Sequence, residues 1–246
     1  MELQDIFDTY TKFQKEYDSD FIYPKIYPMF KDLDNQINAQ VEKVTERSAH
    51  LSINTDFIFN KTNKIYFESI LYHEFVHIVD SLTYLKSERD ANGYTFLEFP
   101  FNEFHASQIQ FLKMLNIFSA EGKIFISSKV NMVNEIITVS QFVDECRFEI
   151  QKRYSALNKT SKLEDIIYFV SCIVYNIGYF SILKFHNIYE NFWLDFKNVH
   201  YVQEDLHLLM DMLLNTLPSD QLCLDTHNIT VKIIAKMLNY YEIERD

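Results

Sequence analysis

Only three glycines and four prolines punctuate a chain of 246 residues. An all-β sandwich or barrel needs a tight turn about every 8–12 residues, and glycine and proline supply most of them. So few turn-formers exclude that class. Gly93, Gly122 and Gly178 also lie too far apart for a glycine-rich phosphate loop. A mostly helical chain with a small sheet remains. Hydrophobic residues at 48% and charged residues at 24% suit a folded globular protein, and the length suffices to bury a sizeable core.

The formal net charge of −12 repels nucleic-acid phosphates, and no Lys/Arg cluster offsets it, so no nucleic-acid partner is expected. Cys146, Cys172 and Cys223 form no CxxC pair and read as buried thiols in a reducing compartment. The opening MELQDIFDTYTKF lacks a basic region followed by an apolar stretch, so no secretory signal is read and the cytoplasm is the expected location. Ile166 to Leu183 carries no charge and sits at the lower edge of a membrane span. Asn176 and Tyr175 near its middle are costly in a bilayer. A buried helix, apolar all round, accounts for the same residues, and no membrane partner is expected.

Residues 2–17 and roughly 25–47 read as helices, broken at Tyr23-Pro24 and Tyr27-Pro28. From Leu51 to Phe59, the residues Leu51, Ile53, Thr55, Phe57 and Phe59 alternate with their neighbours, which is a strand signal. Thr62 or Asn63 can cap a helix over 64–86. A loop is expected near 90–93, then a helix from about Pro100 to before Gly122, and a short strand over 123–127. Helices are expected at roughly 129–156, 163–185, 188–198, 201–216 and 228–242, with Pro218 and Ser219 separating the last two.

His73-Glu74-Phe75-Val76-His77 is an HExxH motif. Histidines at i and i+4 lie about 40° apart around a helix, so both imidazoles reach one ion. Glu74 sits beside that ion, placed to take a proton from water and pass it to a leaving amine. Zn²⁺ fits such nitrogen and oxygen ligands. Phe67, Leu71, Phe75, Ile78, Leu82 and Leu85 form an apolar stripe roughly 150° away from the histidines. One helix face is expected in the core, with the opposite face presenting His73 and His77.

A catalytic zinc needs a third protein ligand. Glu103, opening the next long helix, ranks first, and small Ala106 one turn on permits close approach. Asp80, Glu88, Asp90 and Glu98 compete. Asp80, on the histidine face, is better placed to bond the Nδ1–H of His77. His105 projects about 200° from Glu103 and reads as structural or supporting rather than as a ligand.

A strand, an HExxH helix and a second helix opening with Glu103-x-x-Ala106 resemble the gluzincin zinc metallopeptidases. More narrowly, they resemble the ImmA/IrrE family of intracellular bacterial and mobile-element regulators. Ser107, Ile109 and Gln110 depart from that family's Glu-x-x-Ala-Asn-x-Phe-Ala stretch, and Val76 replaces its usual glycine. The resemblance covers about residues 50–120. It implies an intracellular peptidase acting on a protein or peptide substrate, possible regulators included. It also implies that the strand at 51–59 is an edge strand along which the substrate lies antiparallel. A Tyr, His or Arg is expected to stabilise the oxyanion, with Tyr94 and His105 among the candidates.

The fold class expected is therefore α+β and mainly helical. Its expected parts are N-terminal helices over 1–50, a zincin-like core over 51–127 and a helical region over 128–246 packed on it as one continuous domain. The site would comprise His73, His77 and Glu103 on Zn²⁺, with Glu74 as the catalytic base. A rival reading is a non-catalytic regulatory or binding protein on a metal-containing scaffold. His200, His207 and the acidic residues Asp144, Glu145 and Glu149 read as packing or solvated surface.

Overall fold

The computed structural model describes residues 2–33, 38–56, 63–84, 99–117, 122–157, 162–188, 201–216 and 219–241. The chain is α+β and mainly helical, as expected. Helix α1 (Leu3–Tyr17) places Ile6, Tyr10 and Phe13 on one buried face at spacings of four and three. Its first turn is closed by Asp5, whose carboxylate accepts the Glu2 N–H at 2.8 Å.

The 25–47 segment is not a helix. It forms β1 (Lys25–Lys31) and β2 (Ala39–Val44), and β3 (Ser48–Asn54) completes a sheet of order β1-β3-β2. β1 pairs with β3 in parallel and β2 pairs with it antiparallel. Pro28 is tolerated because β1 lies at the sheet's edge, where a missing N–H breaks little. The β2–β3 turn needs no glycine, because the Thr45 hydroxyl accepts the Ser48 N–H at 3.0 Å. A bulge between Val41 and Lys43 spoils the period of two in β2. In sequence, Ile37, Val41 and Val44 fall at helical spacing.

Asn63 caps α2 (Lys64–Thr83), accepting the Ile65 N–H at 3.0 Å. Every residue from Ser69 to Leu82 is buried, so α2 is covered on all sides rather than on one face. Phe67, Leu71 and Phe75 meet α1 and the sheet, and the other side is covered by α3 (Phe99–Met114). A hairpin of β4 (Lys129–Asn131) and β5 (Ile136–Thr138) follows where a helix from 129 was expected. The expected strand over 123–127 does not form.

Helix α4 (Val139–Ala156) starts only at the capping box of Thr138 and Gln141. α5 (Leu163–Phe185), α6 (Gln203–Asn215) and α7 (Asp220–Tyr241) complete the described helices. α7 begins eight residues before the expected 228, with the Ser219 hydroxyl accepting the Leu222 N–H at 3.1 Å. The loop expected at 90–93 and most of the helix expected at 188–198 lie outside the described residues.

Two apolar cores result. One joins α1, the sheet and α2; the other joins α3 to α7 and the hairpin. α3 belongs to both, with Ala106 in the first and Phe101, Phe104 and Phe111 in the second. Buried Lys113 of α3 ties it to its neighbours, lying 3.0 Å from Glu68 of α2 and 3.7 Å from Glu16 of α1. On the far side, α3 meets α5 at Gly178. A Cβ there would sit 2.3 Å from the Ser107 hydroxyl and 2.4 Å from the Phe104 carbonyl oxygen.

Candidate metal centre

The HExxH residues lie in the middle of α2, and Glu103 lies in the first half of α3. Because α2 and α3 pack closely, three donors converge. Nε2 of His73 and Nε2 of His77 are 3.0 Å apart. The Glu103 carboxylate places Oε2 3.5 Å from the His73 nitrogen and Oε1 3.5 Å from the His77 nitrogen. A four-coordinate ion with bonds of about 2.0–2.2 Å separates its donors by about 3.3–3.6 Å. One donor atom from each of the three residues thus lies within 4.8 Å of the others, a cluster that could hold a metal ion, with the two imidazole nitrogens closer together than coordination would set them; the residues are those singled out in the sequence.

Electrostatics shapes the donors. Burial disfavours the imidazolium of His73, but Glu103, with Glu74 and Gln110 adding to it, outweighs burial and raises its pKa. Burial dominates at His77 and lowers its pKa to about 3, leaving a neutral imidazole with a lone pair to give. The Glu103 carboxyl feels the same burial, yet the two histidines hold it below the ordinary range. The Nδ1 of His73 has no hydrogen-bond partner among the described residues.

Glu74 is buried, and that burial raises its pKa to about 8; the neighbouring Glu103 also raises it, while His73 acts the other way. Its carboxylate accepts the backbone N–H of Val41, in β2, at 2.9 Å. The strand beside the HExxH glutamate is thus β2, at the sheet's edge. The expectation of an edge strand at 51–59 is corrected: β3 lies between β1 and β2, and 57–59 are outside the described residues.

Asp80 does not support His77 as expected. It accepts from Nδ1 of His105 at 2.9 Å and 3.1 Å, and the Tyr17 hydroxyl lies 3.3 Å from the other ring nitrogen. His105 is thus a link from α3 to α2 and α1. The competing ligands Glu88, Asp90 and Glu98, and Tyr94, lie outside the described residues, as does His200.

Two neighbours of the triangle were not singled out in the sequence. The ring of Tyr175, from α5, lies 5.4 Å from that of His73. Its hydroxyl donates to the side-chain oxygen of Gln110 on α3. Gln110 had marked only a departure from a family pattern, and Tyr175 only a residue costly in a bilayer. The spacing of Tyr175 and Tyr179, one helical turn apart in an apolar helix, was the available signal.

Comparison of the chain with protein-family models, with curated proteins and with solved structures finds no match.

Proposed function

We propose that this chain is an intracellular zinc metallopeptidase of gluzincin type, hydrolysing peptide bonds in a protein or peptide substrate. The convergence of His73, His77 and Glu103 at metal-ligand spacing, with Glu74 next in sequence to His73, carries the reading. Two imidazoles and a carboxylate are a donor set suited to zinc, and three protein donors leave a fourth position for water or substrate. The resemblance to the ImmA/IrrE family, through HExxH and Glu103-x-x-Ala106, points the same way.

His73, His77 and Glu103 would hold the zinc, which supplies Lewis acidity toward a carbonyl and acidifies water. Glu74 takes the proton of the attacking water and delivers it to the leaving amine. Burial alone favours its protonated form near neutrality. His73 lowers the Glu74 pKa without overcoming burial, and a cation held by the donors would act in the same direction, toward the carboxylate. Because Glu74 reaches the edge of β2, an extended substrate is expected to lie along that strand.

Elemental analysis of metal-loaded protein should find about one zinc per chain, and His73→Ala or His77→Ala should lose most of it. Glu74→Gln should keep zinc and fold while hydrolysis of any peptide the parent cleaves falls roughly 10²–10⁴-fold. A Glu74→Gln protein with the full rate would sink the assignment of the base. Zinc-loaded protein that cleaves no peptide or protein substrate would favour the non-catalytic scaffold instead.

A further inference from the structure

Behind the donor triangle, the ring of His73 has a second nitrogen to satisfy. Its Nε2 faces His77 and Glu103. An ion held there takes the Nε2 lone pair, so the neutral ring carries its proton on Nδ1. That nitrogen is buried and has no hydrogen-bond partner among the described residues, and His73 as a whole is 7% exposed. A buried N–H left without an acceptor costs free energy, and a ring whose far side is not held binds an ion poorly.

The packing of α3 on α2 brings one side chain to this place. Asp80 meets His105, and Lys113 lies over the Tyr72 ring, so the two helices run antiparallel and residues near 110 stand level with His73. Gln110 follows Glu103 by seven residues and therefore lies on the same face of α3. It is 2% exposed. Its side chain favours the charged ring of His73 by hydrogen bonding. A group that favours an imidazolium offers it an acceptor, which in glutamine is the amide oxygen.

That oxygen is held from α5. The Tyr179 hydroxyl donates to that of Tyr175, one turn earlier on the helix. Tyr175 turns its own proton to Gln110 and donates to the side-chain oxygen. A carbonyl oxygen has two lone pairs, so one remains after Tyr175 has bonded. The Tyr175 ring lies 5.4 Å from that of His73, which keeps this oxygen in the neighbourhood of the imidazole.

We propose that Gln110 is the positioning residue of the centre: its side-chain oxygen accepts the Nδ1–H of His73 and fixes the ring with Nε2 toward the ion, while Tyr175 and Tyr179 hold that oxygen in place. The inference rests on the zinc-site reading above. It gives α5 a part in metal binding, although none of its residues belongs to the donor triangle.

The test is read on zinc rather than on turnover. Protein labelled with ¹⁵N-histidine and loaded with zinc should show, in a long-range ¹H–¹⁵N spectrum, Nε2 of His73 as the metal-bound nitrogen and Nδ1 as the protonated one. Tyr175→Phe should shift the Nδ1–H resonance. Gln110→Met, similar in length but without an acceptor oxygen, should shift it further and weaken zinc binding roughly tenfold or more in chelator competition. Gln110→Glu keeps an acceptor oxygen and should hold zinc at least as tightly as the parent. Zinc affinity within about threefold of the parent in folded Gln110→Met, or an Nδ1–H resonance that neither this variant nor Tyr175→Phe moves, would overturn the inference and leave the zinc site and the peptidase reading standing. Should Gln110→Met fail to fold, the resonance in the parent and in Tyr175→Phe decides alone. Protein that takes up no zinc overturns both.

Discussion

Glu103 and Asp80 are acidic residues on facing helices, and their side chains do different work. Glu103 reaches both imidazoles, while Asp80 is taken up by His105. Their replacements should separate accordingly. Glu103→Ala should weaken zinc binding by about 100-fold or more, because two imidazoles hold the ion poorly. Asp80→Asn should leave zinc affinity within about threefold and lower the unfolding free energy by about 1–3 kcal/mol, since a buried charge-assisted bond is lost. Competition with a chromophoric chelator measures the first effect, and denaturant titration the second. A large loss of zinc in the Asp80 variant would return Asp80 to the ion's surroundings. At this scale the sequence was readable where helical geometry dictates position: the i, i+4 histidines and a glutamate one helix later. The partner of Asp80 was not readable, because it depends on how far α3 slides along α2.

Among the elements, α3 is pinned from two sides by small residues, Ala106 against the first core and Ser107 against Gly178 of α5. Gly178 is needed for proximity, since a methyl group there would strike backbone oxygen as well as a hydroxyl. Gly178→Ala should therefore destabilise the protein by about 1–3 kcal/mol, through overpacking that the backbone cannot relieve. It should also push α3 and lower zinc affinity, although no ligand is touched. Thermal unfolding and chelator competition on one preparation check both, and an unchanged melting temperature would contradict this account of the α3–α5 contact. Long helices with strong apolar patterning, such as α2 and α5, were legible in the sequence. Of the strands, only β3 was legible, and only in part: the alternation read from Leu51 overlaps it over 51–54. β1 exposes most of its residues, so no alternation shows, and the bulge in β2 imitates a helical spacing. In the 129–138 stretch the capping box at Thr138 and Gln141 marked where the helix begins, but short β4 and β5 offer three residues each, too few for a period.

For the molecule as a whole, α5 raises the question of solvent. It is long and apolar enough to cross a membrane, and 61% of its most apolar window is buried within the fold. α3, α4, α6 and α7 pack around it, and Asn176 turns its amide onto the Cys172 carbonyl at 2.7 Å. Such packing supports a core helix. Protein expressed without detergent should stay in the supernatant after ultracentrifugation; recovery only in a salt-resistant, detergent-released pellet would revive a membrane-bound peptidase. Of the parts expected over 1–50, 51–127 and 128–246, packed as one continuous domain, the middle one contains α3, which is built into both cores.

That double membership of α3 has a thermodynamic consequence. α2 carries two donors and α3 the third, so an ion bound by all three acts as a cross-link between the part of the chain folded on the sheet and the part folded on α5. Whatever binds the native form alone raises its stability by mass action, by about 2.7 kcal/mol at one hundred times the dissociation constant. On the proposed zinc-site reading, free zinc would be a variable of folding, and a chelator would act as a denaturant whose point of attack is the joint between the two cores.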